Sequence, residues 1–259
     1  MPTLQLALVQ KASGLDPVQN REALDVVRDL AQAGAELVVF PEVFSRDFGS
    51  PGSDVSAFAE KIDGPFVTRM AELADECGVT MVAGMLEVSE DPERPYNTLA
   101  VVDRTGLRAS YRKIHLYDSF GYKESDRLFP GPLEPVSLDV GGVTVGLLAC
   151  YDLRFPELTR ALAAQDAELL VAPAAWVAGP RKVEHWRTLV RARAIENTVY
   201  VAAAGQPAPR YSGHSMIVAP TGDVIGEAGD DDAVVTGAVD TEALAEARAV
   251  NPSLANRRM

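Results

Sequence analysis

Three strand-like runs in this 259-residue sequence end on groups that can do chemistry. A carboxylate closes Leu37-Val-Val-Phe-Pro-Glu42, an ammonium closes Arg108-Ala-Ser-Tyr-Arg-Lys113, and a thiol closes Val143-Thr-Val-Gly-Leu-Leu-Ala-Cys150. A nucleophile, a proton carrier and a cation are the minimum parts of acyl transfer. A thiolate attacks a carbonyl or nitrile carbon, and a carboxylate in a partly dry pocket takes its proton and later delivers one to the departing nitrogen. Lys113 and the backbone N–H of Tyr151 supply the fixed donors that the negative oxygen of the intermediate needs. Taken singly, Cys150 reads as packing, Glu42 as a turn cap and Lys113 as a solvated lysine. Their complementarity is what points to catalysis.

These groups need a scaffold that brings strand ends together. Val18 to Ala33 carries apolar residues at helical spacing, with Asp16 and Pro17 before it and Gly34 after it, which predicts one helix. The same syntax recurs at Pro65 to Gly78. Strand-like runs follow at Glu36 to Phe40, Val79 to Met85, Thr98 to Val102, Val143 to Ala149, Leu169 to Ala172, Val199 to Ala203 and Ser215 to Val218, and Met1 to Gln10 reads as a first strand. Most are continuously apolar, as strands buried on both faces are, so helices must cover a sheet. Turn signals at Pro220 to Asp223 and Gly229 to Asp232 predict an antiparallel part in the C-terminal third. With no repeat and no low-complexity linker, residues 1–259 read as a single domain of the α/β class. Open α/β sheets place ligands outside the carboxyl ends of their strands, where all three groups lie.

Composition narrows the function classes. With 47% apolar and 24% charged residues the chain can bury a core, and its net charge of −13 argues against nucleic acid or an anionic membrane as partner. No uncharged stretch approaches the roughly 18–20 residues that span a bilayer. The two cysteines, Cys77 and Cys150, and three scattered histidines support neither a disulfide framework nor a metal site, and a reducing, cytoplasmic setting is the expectation. Phosphate-loop, dinucleotide-turn, Gly-x-Ser-x-Gly and His-Glu-x-x-His motifs are missing from the sequence. No cofactor and no metal are implied.

At this point the residues resemble the nitrilase superfamily of carbon-nitrogen hydrolases. The matching stretches are Phe40-Pro41-Glu42, Tyr111-Arg-Lys113-Ile-His115-Leu116, Cys150-Tyr-Asp-Leu-Arg-Phe-Pro-Glu-Leu158, Trp186, Arg191-Ala-Arg-Ala-Ile-Glu-Asn197 and Gly213-His214-Ser215. The resemblance implies a four-layer α-β-β-α sandwich, assembled as a homodimer or higher homo-oligomer. It implies Glu42 as general base, Lys113 as stabiliser of the tetrahedral intermediate and Cys150 as nucleophile. Glu124, in Gly121-Tyr-Lys-Glu-Ser-Asp126, matches a second carboxylate that orients the lysine, with Asp126 as the neighbour that competes for that match. The tail Leu254 to Met259 resembles a segment that packs against a partner subunit.

The Cys150 block looks like the amidase branch that includes omega-amidase and deaminated-glutathione amidase. Arg154 is a candidate to pair with a substrate carboxylate through its planar fork, or else to form an ion pair with Glu157 or a neighbouring strand end. Tyr151, Phe48 and Trp176 are candidate pocket walls. The expected reaction is hydrolysis of a small carboxylate-bearing amide to acid and ammonia through a thioester. A nitrilase, an N-carbamoyl amino acid hydrolase, an acyltransferase and a catalytically silent binding protein stay open, because the triad does not separate them. The loop Phe44 to Ser56 either shapes the pocket or is a passive surface turn. None of His115, His185 and His214 is expected to be catalytic.

Overall fold

The structure, a computed structural model, describes residues 2–258. The chain runs through β1 (Thr3–Gln10), α1 (Pro17–Ala23), α2 (Val27–Gln32), β2 (Leu37–Val39), α3 (Pro65–Cys77), β3 (Thr80–Glu87), β4 (Tyr96–Asp103) and β5 (Gly106–Arg112). A small hairpin, β6 (Asp118–Ser119) and β7 (Tyr122–Lys123), then leads to β8 (Ser137–Val140) and β9 (Val143–Leu147). The remainder is α4 (Pro156–Ala164), β10 (Leu169–Val171), α5 (Lys182–Asn197), β11 (Tyr200–Ala203), β12 (Met216–Val218), β13 (Val224–Glu227), β14 (Ala233–Asp240) and α6 (Thr241–Val250).

Two six-stranded sheets form, ordered β14-β1-β2-β3-β4-β5 and β13-β12-β11-β10-β9-β8. Alternation along β1 shows how they stack. Leu4, Leu6 and Leu8 enter a core shared with Val145, Leu147 and Val239, whereas Ala7 and Val9 enter a second core with Leu24, Val27, Phe66 and Met70 from the helices. Side chains of successive strand residues point to opposite faces, so each sheet turns one face to the other sheet and one to helices. Leu162, Trp186 and Val190 of α4 and α5 join the core on the side of the second sheet. The layers are α-β-β-α.

The helix expected over Val18 to Ala33 is instead two α-helical pieces joined by a 3-10 turn at Leu24–Val26. The Asn20 side chain is tied to the Gly14 carbonyl and, 3.1 Å away, to the Ser45 carbonyl, while Val27 and Leu30 pack with α3, so the tighter turn joins two separately anchored halves. Antiparallel pairing is also wider than expected. Beside the C-terminal strands, β3 with β4, β4 with β5 and β8 with β9 are antiparallel, leaving only β1, β2 and β3 and then β9, β10 and β11 mutually parallel. The short β4–β5 and β8–β9 connections permit hairpins, which parallel pairing cannot use. Among the described residues, no helix is long and apolar enough to cross a membrane.

Candidate active site

Glu42 follows β2 and Lys113 follows β5 in one sheet, and Cys150 follows β9 in the other, so the groups meet at the seam between the sheets. The Glu42 segment is held close to β3. Gly84 donates its N–H to the Pro41 carbonyl, and a Cβ at Gly84 would come within 2.2 Å of the Val43 nitrogen and 2.6 Å of the Glu42 Cα. Val43 takes the left-handed region at φ 49°, which re-aims the chain just past the carboxylate. Cys150 sits in the same region at φ 48°, at the turn from β9 into a 3-10 helix (Cys150–Arg154). Its N–H is spent on the Pro173 carbonyl, 2.9 Å away. The Tyr151 N–H falls in the first turn of that helix, where N–H groups have no intrahelical partner.

Four of the expected residues converge. Lys113 Nζ lies 2.8 Å from Glu42 Oε1 and 3.0 Å from Glu124 Oε2. Glu42 also accepts from Asn97 Nδ2 and from the Ala175 N–H, each at 2.7 Å, and Cys150 lines the same cavity beside it. Glu124 further accepts the Tyr117 N–H at 2.5 Å. All four side chains are buried. Burial works against the charge of Lys113, but the Glu124 and Glu42 carboxylates outweigh it and hold the ammonium's pKa well above the ordinary lysine value. Burial pushes the Cys150 thiol well up, with Glu42 adding to the rise and Lys113 opposing it. Burial likewise raises Glu124, against the pull of Lys113. The resting cluster therefore holds a protonated thiol in the company of two carboxylates, with a fixed cation between them. Asp126, the competing match, is exposed and pairs with Lys123 instead.

The cluster opens into a cavity of about 790 Å³. Phe48, Tyr151 and Trp176 line it, as the sequence suggests. Arg154 is not among the lining residues and makes no ion pair with Glu157 or any other carboxylate among the described residues. Its guanidinium lies 4.9 Å from the Trp176 ring centroid and 5.8 Å from that of Phe120, and its Nε and Nη2 are buried without partners. From the Phe44 to Ser56 loop, residues 48–51 form part of the cavity wall.

Sequence reasoning missed two groups. Asp152, fully buried, accepts from Tyr111 Oη at 2.6 Å, the Ala149 N–H at 2.9 Å and the His115 N–H at 3.1 Å, with His115 Nδ1 at 2.7 Å. It thus ties the Cys150 turn to the chain just past Lys113. A charged residue inside an apolar block was the signal available. Lys182, at the start of α5, lines the cavity with only 8% of its surface exposed. A lysine after Gly-Pro-Arg at a helix start carries no such signal.

The family model described as carbon-nitrogen hydrolase matches residues 5–249. The deaminated glutathione amidase of Escherichia coli O157:H7 is 39% identical over 229 residues, covering 88% of this chain and 87% of that protein. The human omega-amidase NIT2 is 36% identical over 272 residues, covering 100% of this chain and 96% of that protein. Among solved structures, XC1258 from Xanthomonas campestris, described as a CN-hydrolase superfamily protein with an arsenic adduct in the active site, superposes with a TM-score of 0.90. It is 29% identical, with 100% of this chain and 98% of that one covered. With this fold and these matches, the chain belongs to the carbon-nitrogen hydrolase family, the nitrilase superfamily. It is a hydrolase of the amidase branch, acting on carbon-nitrogen bonds other than peptide bonds.

Proposed function

We propose that this enzyme hydrolyses a small amide bearing a carboxylate, with Cys150 as nucleophile, Glu42 as general base and acid, Lys113 as oxyanion donor and Glu124 as the group that orients Lys113. The observation that carries the roles is the convergence of the buried Cys150, Glu42, Lys113 and Glu124 side chains on one cavity, with Lys113 Nζ 2.8 Å from Glu42 Oε1. Glu42 takes the Sγ proton as sulfur bonds to the amide carbon, and the oxygen collects charge against Lys113 and the Tyr151 N–H. Glu42 then protonates the nitrogen, the carbon-nitrogen bond breaks, and ammonia leaves a thioester on Cys150. Water, deprotonated by Glu42, attacks that carbon, and the returning proton regenerates the thiol as the acid departs.

The carboxylate-bearing class is supported by the unpartnered nitrogens of Arg154 near the cavity and by the names of the related omega-amidase and deaminated glutathione amidase. Ammonia release from a panel of omega-amides, with mass spectrometry of the acyl group trapped on Cys150, tests the reading. Turnover of a nitrile with none of the amides would overturn it.

The chain acts as one carbon-nitrogen hydrolase unit, and a reducing, cytoplasmic compartment suits its two free thiols. Its tail supports a homo-oligomer: of the segment Leu254 to Met259, residues 255–258 are exposed and Met259 lies outside the described residues. Deleting that segment should lower the sedimentation coefficient, and an unchanged profile would count against the assembly.

A further inference from the structure

The cations around the cavity differ in how many partners the chain gives them. Lys113 is held between two carboxylates. Arg127 donates from both terminal nitrogens to the Phe48 and Ser53 carbonyls and the Tyr122 hydroxyl, with its Nε left unpartnered, and Arg210 pairs with Asp47 at 2.8 Å. Lys182 differs from all three. Its Nζ donates to the Tyr117 hydroxyl at 3.0 Å and otherwise faces aromatic rings, 4.1 Å from the Phe120 centroid and 5.7 Å from that of Trp176. No carboxylate pairs with it among the described residues. Arg154 shares the Phe120 and Trp176 rings and has two buried nitrogens without partners.

Two cations in one aromatic enclosure, both lacking a counter-ion, leave a site of positive potential whose compensation must come from outside the chain. The titration of Lys182 agrees: burial, with the Arg154 charge beside it, lowers its pKa, while Cys150 and Tyr151 oppose this. Lys182 lines the same cavity as Cys150. It is also fixed in place, because Trp176 Nε1 donates to its carbonyl at 3.0 Å.

We infer that Lys182, backed by Arg154, binds the carboxylate at the far end of the acyl chain and decides the enzyme's preference for anionic over neutral amides. Lys182 touches the anion from the cavity wall, and Arg154, set behind Trp176 and Phe120, strengthens the field. This assignment rests on the carboxylate-bearing substrate proposed above and names the residue that reads it. It points to monoamides of short dicarboxylic acids.

The test compares kcat/KM for succinamate with that for butyramide, which replaces the carboxylate by a methyl group, in the wild type, K182M and K182Q. The wild type should favour succinamate, and both variants should lower the succinamate-to-butyramide ratio by about 30-fold or more, chiefly through KM. Independently of any variant, succinate should slow alkylation of wild-type Cys150 by iodoacetamide at concentrations where butyrate does not. A wild type with no preference for succinamate would sink both the substrate reading and this one. A preference kept within threefold, by our estimate of a negligible change (~0.6 kcal/mol), in variants whose Cys150 still alkylates would sink the Lys182 assignment alone.

Discussion

Lys113 and Lys182 are both buried lysines on the wall of one cavity, yet their environments drive them in opposite directions. Two carboxylates surround Lys113 and raise its pKa despite complete burial, whereas Lys182 meets a hydroxyl and aromatic faces and its pKa falls. Burial alone disfavours an ammonium in both places. The difference is the partner: Lys113 has its ion pairs completed within the chain, and Lys182 is left open to an anion that enters the cavity.

Replacing each lysine separates these cases most sharply. K113M should lower amide turnover by about 10³-fold, since it removes the proposed oxyanion donor, and leave two buried carboxylates without their cation at a cost of about 3–5 kcal/mol. Steady-state ammonia release and urea unfolding measure the two effects, and turnover within tenfold of wild type, by our estimate ~1.4 kcal/mol, would break the contrast at its strongest point.

E42Q probes the same cluster from the acidic side. Loss of the proposed base should lower turnover by about 10²-fold or more. The sign of the thiol shift is then set by what is removed: the Glu42 charge raises the Cys150 pKa, so without it the thiolate should appear at lower pH than in the wild type, still against the effect of burial. Ultraviolet thiolate absorbance follows this, and a shift to higher pH contradicts the geometry.

G84A acts at one remove from the chemistry. The added methyl group collides with the backbone at Glu42 and Val43, and a displacement of about 1 Å can cost about 10²-fold in rate. The expected pattern is reduced kcat with the succinamate preference retained, because Lys182 lies on another element. Loss of the preference alone would contradict it.

The smallest effect is on stability at the other lysine. K182M removes a buried charge that has no carboxylate partner, so its unfolding free energy should lie within about 1 kcal/mol of wild type, or above it. A loss as large as that of K113M would show Lys182 to be a structural ion after all.

Glu42 and Cys150 were legible because each ends an apolar run, and Lys113 because it ends a third strand-like run and supplies the cation that the other two lack. Glu124 needed the family resemblance, since its own segment is an irregular polar loop. Asp152 was visible as a residue but not as a hub, because its donors come from residues 111, 115 and 149. Lys182 was not legible at all. An ammonium at the first position of a helix is ordinarily solvated, and only the stacking of Trp176, Tyr117 and Phe120 around it makes it a buried one. The interrupted first helix and the antiparallel sheet edges escaped for a similar reason, being set by where neighbouring chain segments anchor.

By itself the sequence determined the reactive groups, the continuous apolar runs that bury the central strands on both faces, and the end of each run where chemistry can sit. These depend on residue type and on neighbours a few positions away. Tertiary structure alone decided which charges are paired and which are left over. Glu42 and Lys113 are 71 residues apart and come from different strands, and Lys182 reaches the same cavity from a helix beyond the second sheet's nucleophile turn. Electrostatic energy depends on distance through space and on how much water has been excluded, and both quantities come into being only when the two sheets close on each other.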